Sequence, residues 1–274
     1  MKITASDFLK RKMSAQPIAM LTAYDCPSAR ILDECGIDVV LVGDSVGTTV
    51  LGYDNITRVT MDDMLHHIAA VKRGIQHAFV IGDMPYHSYA TPSLALKNAR
   101  RFVKSGAEAV KMEGGVKILK QVQLLCEKGI PVCGHLGYLP QSGERPGVVG
   151  KTLEEAKRLI NDAIALQDAG VFMIVLELVP AQLARHITGL LRIPTIGIGA
   201  GPFCDGQVQV LHDMLGLSPK LYKHVKAFVR GKEIFSKAVS QYIREVRKRL
   251  FPTRANASDL DDDIANELSE WLRK

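Results

Sequence analysis

Short apolar runs alternate along the chain with longer stretches of helical character, and this alternation limits the possible folds. Seven runs are clear, at residues 18–21, 39–42, 79–81, 109–112, 132–133, 173–176 and 195–198. An eighth run is weaker, and we place it near residues 208–211. Runs that are apolar at every position are typical of strands buried on both faces.

The stretches between the runs begin with residues that cap helices. Thr60 precedes a helical pattern at 61–73, and Thr91 precedes one at 92–104. A third pattern at 153–169 follows Thr152, has Glu155 in the position that completes a capping box, and ends before Gly170. Strands that alternate with such helices indicate βαβ units and a parallel sheet. About eight units in this length favour a closed (β/α)8 TIM barrel.

An open, doubly wound sheet is the alternative fold. Its dinucleotide-binding members carry a GxGxxG sequence directly after the first strand, and no such sequence is present there. The glycine-rich segment Gly-Ile-Gly-Ala-Gly at 197–201 comes late in the chain and lacks that spacing. It indicates a tight turn or a close approach of the backbone to a ligand.

The chain is long enough for one barrel with a short extension. Of its 274 residues 47% are hydrophobic, and barrels of this length are commonly single domains. We therefore predict a catalytic barrel at 1–252 and a tail at 253–274. The tail is acidic at Asp259 and at 261–263, and then repeats apolar residues at helical spacing, namely Ile264, Leu268, Trp271 and Leu272. This pattern predicts a short helix, held by its apolar face against the barrel or a neighbouring subunit.

Charge and composition argue against nucleic-acid and membrane partners. The formal net charge is +6, but the basic residues are scattered until the REVRKR segment at 244–249, which we interpret as a solvated helix face. No basic stripe is interleaved with aromatic residues. No apolar segment is long enough to cross a bilayer.

The five cysteines are an odd number with no CxxC pair, and the N-terminal segment has no apolar run typical of a signal peptide. Reduced thiols and the absence of such a run lead us to expect a cytoplasmic protein.

Several predicted strands end at ionisable residues. These are Asp44 with Ser45, then Asp83, Lys111 with Glu113, His135 and Glu177. In a (β/α)8 barrel all strands point their carboxyl ends to one face, where the βα loops form the active site. An isolated aspartate after a strand is usually a turn or capping residue. The recurrence of ionisable groups after five strands instead predicts that they meet at one site.

Carboxylates gathered at one barrel mouth would repel one another, and a divalent cation would remove that cost. Ligands that are all oxygen atoms favour Mg²⁺, or Mn²⁺ in its place, over Zn²⁺. The sequence contains no HExxH motif and no Cys/His spacing typical of zinc sites.

At these residues the sequence closely resembles the ketopantoate hydroxymethyltransferase family. The matching segments run through most of residues 15–250 in order: TAYD at 22–25, LVGDSVG at 41–47, VTMDDMLHH at 59–67, AVKRG at 70–74, YATP at 89–92, VKMEGG at 110–115, PVCGHLGYLPQS at 131–142, VLELVP at 175–180 and GIGAGPFCDGQVQVLHDMLG at 197–216. The resemblance implies a barrel of the phosphoenolpyruvate mutase and isocitrate lyase type. It implies transfer of a hydroxymethyl group from 5,10-methylenetetrahydrofolate to 3-methyl-2-oxobutanoate. The product would be ketopantoate, for pantothenate and coenzyme A synthesis, formed through an enolate that Mg²⁺ stabilises.

The same resemblance implies roles for individual residues. Asp44 and Asp83 would be metal ligands for Mg²⁺, with Mn²⁺ or Co²⁺ as alternatives. Glu113 would belong to the same metal site, directly or through a bound water. Glu177 would be the catalytic base. The 2-oxo acid would be bound by Asp44 and Asp83 together with Ser45, Lys111, His135 and Tyr24. A homo-oligomer, often a decamer, is also implied.

The sequence departs from the family pattern at three places. Thr48 and Thr49 replace a bulky apolar pair, the loop at 143–150 reads GERPGVVG, and Leu178 stands where cysteine is common. The first two changes bear on contacts with folate and on the geometry of the lid.

A carbon–carbon lyase of the same superfamily, acting on a 2-oxo acid, is the alternative function, and a non-catalytic barrel is another. Such lyases usually carry a catalytic cysteine in the corresponding loop, whereas Cys133 here lies inside an apolar run.

Overall fold

The computed structural model describes residues 2–143, 146–219 and 222–273. Eight parallel strands form a closed barrel in which each strand pairs with the next along the chain and the last pairs with the first. The strands are β1 (Ile18–Thr22), β2 (Val39–Val42), β3 (Phe79–Asp83), β4 (Ala109–Glu113), β5 (Val132–Gly137), β6 (Met173–Glu177), β7 (Thr195–Ile198) and β8 (Gly206–Gln209). The (β/α)8 prediction is confirmed.

Helices follow the strands and surround most of the barrel. They are α1 (Ala5–Met13), α2 (Cys26–Glu34), α3 (Val46–Thr49), α4 (Met61–Gly74), α5 (Pro92–Ser105), α6 (Leu119–Glu127), α7 (Leu153–Asp168), α8 (Ala181–Leu190), α9 (Leu211–Met214), α10 (Gly231–Arg247) and α11 (Asp262–Trp271). The capping predictions are confirmed: Thr60, Thr91 and Thr152 each accept a hydrogen bond from a backbone N–H of the first helical turn. In the described part of the chain, no helix is both long and apolar enough to cross a membrane.

Alternate residues of each strand point into and out of the barrel, so the molecule has two hydrophobic cores. Inside the barrel, Val39 and Leu41 of β2 meet Phe79 and Ile81 of β3. The outward residues of the same strands pack against the helices. Phe8 of α1 is fully buried at the amino-terminal end of the barrel, where its ring lies 5.4 Å from that of Phe79. α1 therefore closes the end of the barrel opposite the predicted active site.

The eighth strand lies two residues earlier than we predicted from 208–211, because Leu211 already begins α9. Its burial alternates, with Gly206 and Val208 buried but Gln207 exposed and Gln209 half-buried. Strands with one uncovered face alternate in polarity and give no continuous apolar run. The criterion that located the other strands therefore misplaced this one.

The tail forms the predicted helix, α11, but the expectation that its apolar face is buried is wrong for the single chain. Ile264, Leu268, Trp271 and Leu272 are between 44% and 69% exposed. Whether a neighbouring subunit covers this face, and whether the boundary near 252 separates two functional parts, stay predictions.

Candidate active site

The alternation of side chains along the strands gathers the predicted site residues in the barrel interior. On β3, Asp83 has the same parity as the inward residues Phe79 and Ile81. By the same parity Lys111 and Glu113 follow inward Ala109 on β4, His135 follows Cys133 on β5, and Glu177 follows Val175 on β6. These four strands are neighbours in the barrel. The ionisable groups therefore form a continuous set at the carboxyl ends of β3 to β6.

Lys111 lies between two of the carboxylates. Its Nζ donates hydrogen bonds of 2.8 Å to both carboxylate oxygens of Asp83 and lies 3.7 Å from Oε1 of Glu113. Burial opposes the charge on Lys111, but the neighbouring carboxylates of Asp83 and Glu113 outweigh it and raise the pKa. Lys111 is therefore a buried, charged ammonium group.

His135 connects Glu113 to Glu177. Its Nδ1 lies 3.2 Å from Oε1 of Glu113, and its Nε2 lies 3.3 Å from Oε2 of Glu177. Burial and Lys111 oppose protonation of the imidazole, but the two carboxylates outweigh them and raise the pKa of His135 to about 9. The contact between Nε2 and Glu177 is short enough for an ion pair but is not a hydrogen bond. Among the described residues, Nε2 has no hydrogen-bond partner of acceptable geometry.

The backbone around Glu177 is tightly constrained. Gly137 has φ of +96°, and a Cβ atom at that position would overlap the carbonyl oxygen of Glu177. Leu178, directly after Glu177, has φ of +49°, which is unusual for a non-glycine residue. Its N–H donates to Ile198 and its carbonyl accepts from Val149. Contacts with the neighbouring strands thus fix the position of the Glu177 backbone.

Asp44 follows β2 and lies beside Asp83, since its backbone N–H is 3.4 Å from Oδ2 of Asp83. Its carboxylate accepts a 2.8 Å hydrogen bond from the neutral amide of Gln141. Burial raises the pKa of Asp44 well above its ordinary value, and the charge of Asp83 adds to this effect. Burial and the neighbouring Asp83 therefore disfavour the ionised form of Asp44.

Tyr24 and Ser45 lie together beside Asp44, and their hydroxyl oxygens are 2.8 Å apart. The unusual Thr48 and Thr49 face the same turn, where both hydroxyls donate to the carbonyl of Ser45. The structure therefore brings every predicted site residue to one end of the barrel, while their individual roles stay predictions. In the altered loop at 143–150, Glu144 and Arg145 lie outside the described residues.

The predicted metal ligands are close together but not preformed as a metal site. Among the described residues, no group of three or more His, Cys, Asp or Glu side chains is arranged to hold a metal ion. Lys111 is one reason why the metal site is not preformed, because its ammonium group forms an ion pair with Asp83 and lies close to Glu113.

Two residues of the site were not singled out from the sequence. Gln141 is buried and contacts both Asp44 and Glu113, and Tyr89 donates a hydrogen bond of 2.6 Å to its side chain. Tyr89 lies in the YATP segment and Gln141 in the PQS segment, and both segments carry the family resemblance. Membership of these segments was the one sequence signal that could have pointed to the two residues. A cavity of about 330 Å³ opens beside them, lined also by Tyr86, His87 and Lys117.

Cys133 does not have the surroundings of a catalytic nucleophile. It is fully buried in β5, and burial raises the pKa of its thiol to about 12. Because the thiolate is the nucleophilic form, this cysteine does not fit the role that the lyase alternative requires.

Comparison with known proteins agrees with the sequence. Residues 2–254 match the model of the ketopantoate hydroxymethyltransferase family. A 3-methyl-2-oxobutanoate hydroxymethyltransferase of Acetivibrio thermocellus is 50% identical over 98% of this chain and 97% of its own length. One from Dehalococcoides mccartyi is 51% identical over 99% of both chains.

The fold is shared with more distant enzymes. The crystal structure of a phosphonopyruvate hydrolase complexed with oxalate and Mg²⁺ aligns with a TM-score of 0.63 and 10% identity over 99% of this chain and 97% of that one. A 2,3-dimethylmalate lyase of the PEP mutase/isocitrate lyase superfamily aligns with a TM-score of 0.57 and 17% identity over 100% and 98%. These likenesses concern the fold alone. With the family match spanning nearly the whole barrel, the chain belongs to the ketopantoate hydroxymethyltransferase family of enzymes.

Proposed function

We propose that this enzyme transfers a hydroxymethyl group from 5,10-methylenetetrahydrofolate to 3-methyl-2-oxobutanoate, giving ketopantoate for pantothenate synthesis. The observation that carries the proposal is the buried set of ionisable groups from Asp44 to Glu177. It occurs in a chain about half identical to proteins named for this reaction. The set combines concentrated carboxylates, a buried ammonium group and a carboxylate at the edge of the site, half-buried in the barrel mouth.

The carboxylates fit a divalent cation. Asp44 and Asp83 are buried side by side, and Asp44 is bonded to a neutral amide instead of a cationic side chain. Oxygen donors of this kind suit Mg²⁺, with Mn²⁺ or Co²⁺ in its place. Asp44 and Asp83 would hold the ion, with Glu113 bound directly or through water. A metal ion there would act as a Lewis acid and make the hydrogen next to the keto group of the substrate more acidic.

The remaining side chains suit a small anionic substrate. Lys111 supplies a buried positive charge for the oxo acid, and the hydroxyls of Ser45 and Tyr24 supply hydrogen bonds beside it. His135 lies 3.3 Å from the carboxylate of Glu177 and would also contact the oxo acid. Glu177 then removes the proton from C3 of the oxo acid as the general base.

The enolate so formed attacks the methylene carbon of the folate, which is most reactive as an open iminium ion. A carbon–carbon bond forms as the π electrons of the C=N bond move onto the folate nitrogen. Water then displaces that nitrogen from the methylene carbon: the C–N bond breaks, the nitrogen takes up a proton and leaves as tetrahydrofolate, and the water oxygen becomes the new hydroxyl group. The cavity beside Tyr89 and Lys117 offers aromatic and cationic side chains that suit part of the folate.

Location and assembly are part of the same proposal. All five cysteines are free thiols, which agrees with the predicted cytoplasmic location. We also propose a homo-oligomer and no nucleic-acid partner.

Metal removal tests the proposed function. We expect EDTA to abolish formation of ketopantoate from the oxo acid and methylenetetrahydrofolate, because the buried carboxylates would be left without their cation. Mg²⁺, Mn²⁺ or Co²⁺ should restore it, as measured by chromatography of the product. Full turnover by exhaustively demetallated protein would contradict the metal site. Cleavage of a 2-oxo acid without any transfer to it would favour the lyase alternative.

A further inference from the structure

The side chain of Gln141 is built into the cluster of carboxylates. Gln141 lies in a short 3-10 turn, Pro140–Ser142, after β5 and is 4% exposed. Its Nε2 donates one hydrogen bond of 2.8 Å to Oδ2 of Asp44 and another of 2.9 Å to the carbonyl of Met84. The carbonyl of Met84, and the carboxylate of Asp44 when it is ionised, can accept hydrogen bonds but cannot donate them. Both N–H groups of the amide are therefore used.

The other groups of Gln141 are also occupied. Its Oε1 accepts a 2.6 Å hydrogen bond from the hydroxyl of Tyr89, and its backbone N–H donates a 3.0 Å bond to Oε2 of Glu113. A flipped amide would direct its oxygen at a carbonyl and a carboxylate. The orientation of this amide therefore follows from the chemistry of its neighbours.

We propose that Gln141 is a positioning residue that holds two of the metal-binding carboxylates, Asp44 through its side chain and Glu113 through its backbone. This inference rests on the metal site of the proposed function. Residues that orient metal ligands in this way typically change metal affinity or activity by about 10–100-fold when they are replaced.

The neutrality of the amide matters for this role. Lys111 neutralises Asp83 through an ion pair, whereas Gln141 orients Asp44 without cancelling its charge. Gln141 bonds to one oxygen of Asp44 and brings no charge of its own, so the second oxygen is left for a cation, which would favour the ionised carboxylate. Tyr89 supports the arrangement because its hydroxyl donates to the amide oxygen of Gln141 and also accepts a 3.4 Å hydrogen bond from the backbone N–H of Glu113.

Binding of Mn²⁺ alone tests the proposal without turnover. Titration of demetallated, full-length protein, followed by the electron paramagnetic resonance signal of free Mn²⁺, gives the dissociation constant. Gln141→Met keeps the size of the side chain and removes its hydrogen bonds. We expect it to weaken Mn²⁺ binding by about 10–100-fold. Tyr89→Phe should weaken binding less, because it loosens the amide without removing its N–H groups.

Asn98→Leu is the matched control. Asn98 is also a buried amide, 5% exposed, and its Nδ2 donates a 2.7 Å hydrogen bond to the carbonyl of Ser88, next to Tyr89. Its loss should lower the midpoint of thermal unfolding and leave Mn²⁺ affinity unchanged. Wild-type affinity in Gln141→Met, or equal weakening in Asn98→Leu, would overturn the proposal. If Gln141→Met does not fold, Tyr89→Phe decides: unchanged affinity there also overturns it. Failure of the wild-type protein to bind Mn²⁺ would instead refute the metal site itself.

Discussion

The buried ionisable residues differ in the neighbours that balance their charge. Lys111 is enclosed by Asp83 and Glu113, and His135 by Glu113 and Glu177. Asp44 is hydrogen-bonded to the neutral amide of Gln141 and lies beside another carboxylate, and the charge of Lys111 offsets its burial only in part. The burial of several like charges is costly unless further positive charge is supplied. This imbalance at Asp44 is the physical basis for proposing a cation there.

Outside the site, a single carboxylate stabilises the connection that leads into β3. Asp33 on α2 is buried and accepts hydrogen bonds of 2.7–3.2 Å from the backbone N–H groups of Gln76, His77 and Ala78. Burial opposes its charge, but these donors outweigh burial and lower the pKa. The folded structure therefore stabilises the ionised form of the Asp33 carboxylate.

Replacement of this carboxylate should destabilise the fold. We expect Asp33→Asn to lower the free energy of unfolding by about 1–3 kcal/mol, because buried N–H groups lose acceptors. Urea denaturation at neutral pH measures the change, with Glu34→Gln at the exposed neighbouring position as control. The difference between wild type and variant should be complete above the ordinary aspartate pKa of about 4 and shrink as the pH falls through the lower pKa of the folded state. A difference that grows on acidification would contradict this account.

Residue positions in the barrel were predictable where a strand sets them. Asp83, Lys111, Glu113, His135 and Glu177 lie on or at the ends of strands whose parity decides which way each side chain points. Gln141 and Tyr89 lie in irregular connections, and their partners are distant in sequence: Gln141 is 97 residues from Asp44. No local periodicity reports such contacts, so they became visible only in the structure.

Among the elements, β1 was located from sequence because its residues are apolar, whereas β8 was misplaced because Gln207 and Gln209 interrupt its apolar pattern. β8 and β1 both have exposed outward positions, at Gln207 and Ala19. Beside them lies an open groove of about 1220 Å³, lined largely by apolar surface including Leu21, Met214 and Phe228. In a single chain, this part of the barrel lacks the cover that helices give the other strands.

Helix α10 has an apolar face that is exposed in the single chain. Phe235, Val239 and Tyr242 are between 55% and 62% exposed, and Ile243 and Val246 extend the same face. Apolar patches of this extent usually mark interfaces between proteins. Together with the open groove, they support the predicted homo-oligomer, and we propose that its contacts lie on α10 and the β8–β1 side of the barrel.

Charged residues on this face of α10 should therefore weaken assembly. Light scattering of the wild-type protein should give a mass several times 30.0 kDa. The double variant Phe235→Glu/Val239→Glu should give a smaller mass, because both positions would be buried only in the oligomer. Lys237→Glu, on the opposite face of the helix, is the control and should leave the mass unchanged. A monomeric wild-type protein at micromolar concentration would contradict the prediction.

For the whole molecule, barrel closure is what converts scattered residues into a site. Neighbouring strands β3 to β6 carry the ionisable groups, α1 seals the opposite end with Phe8, and inward packing keeps the strand register fixed. A slip by one residue would turn an entire strand's side chains outward. The closed barrel thus holds Glu177 in fixed relation to Lys111 and the carboxylates.

In the proposed reaction, this site removes a proton from the oxo acid before any folate takes part. Exchange of the C3 hydrogen of 3-methyl-2-oxobutanoate in D₂O, with Mg²⁺ and without folate, tests it most directly and can be followed by NMR. The wild-type enzyme should catalyse exchange. Glu177→Gln, which keeps the shape of the side chain, should bind Mg²⁺ normally yet exchange about 10²–10⁴-fold more slowly, the usual contribution of a positioned general base. Exchange at the wild-type rate in Glu177→Gln would contradict the assignment of the base, and no exchange by the wild-type enzyme would contradict the proposed order of steps.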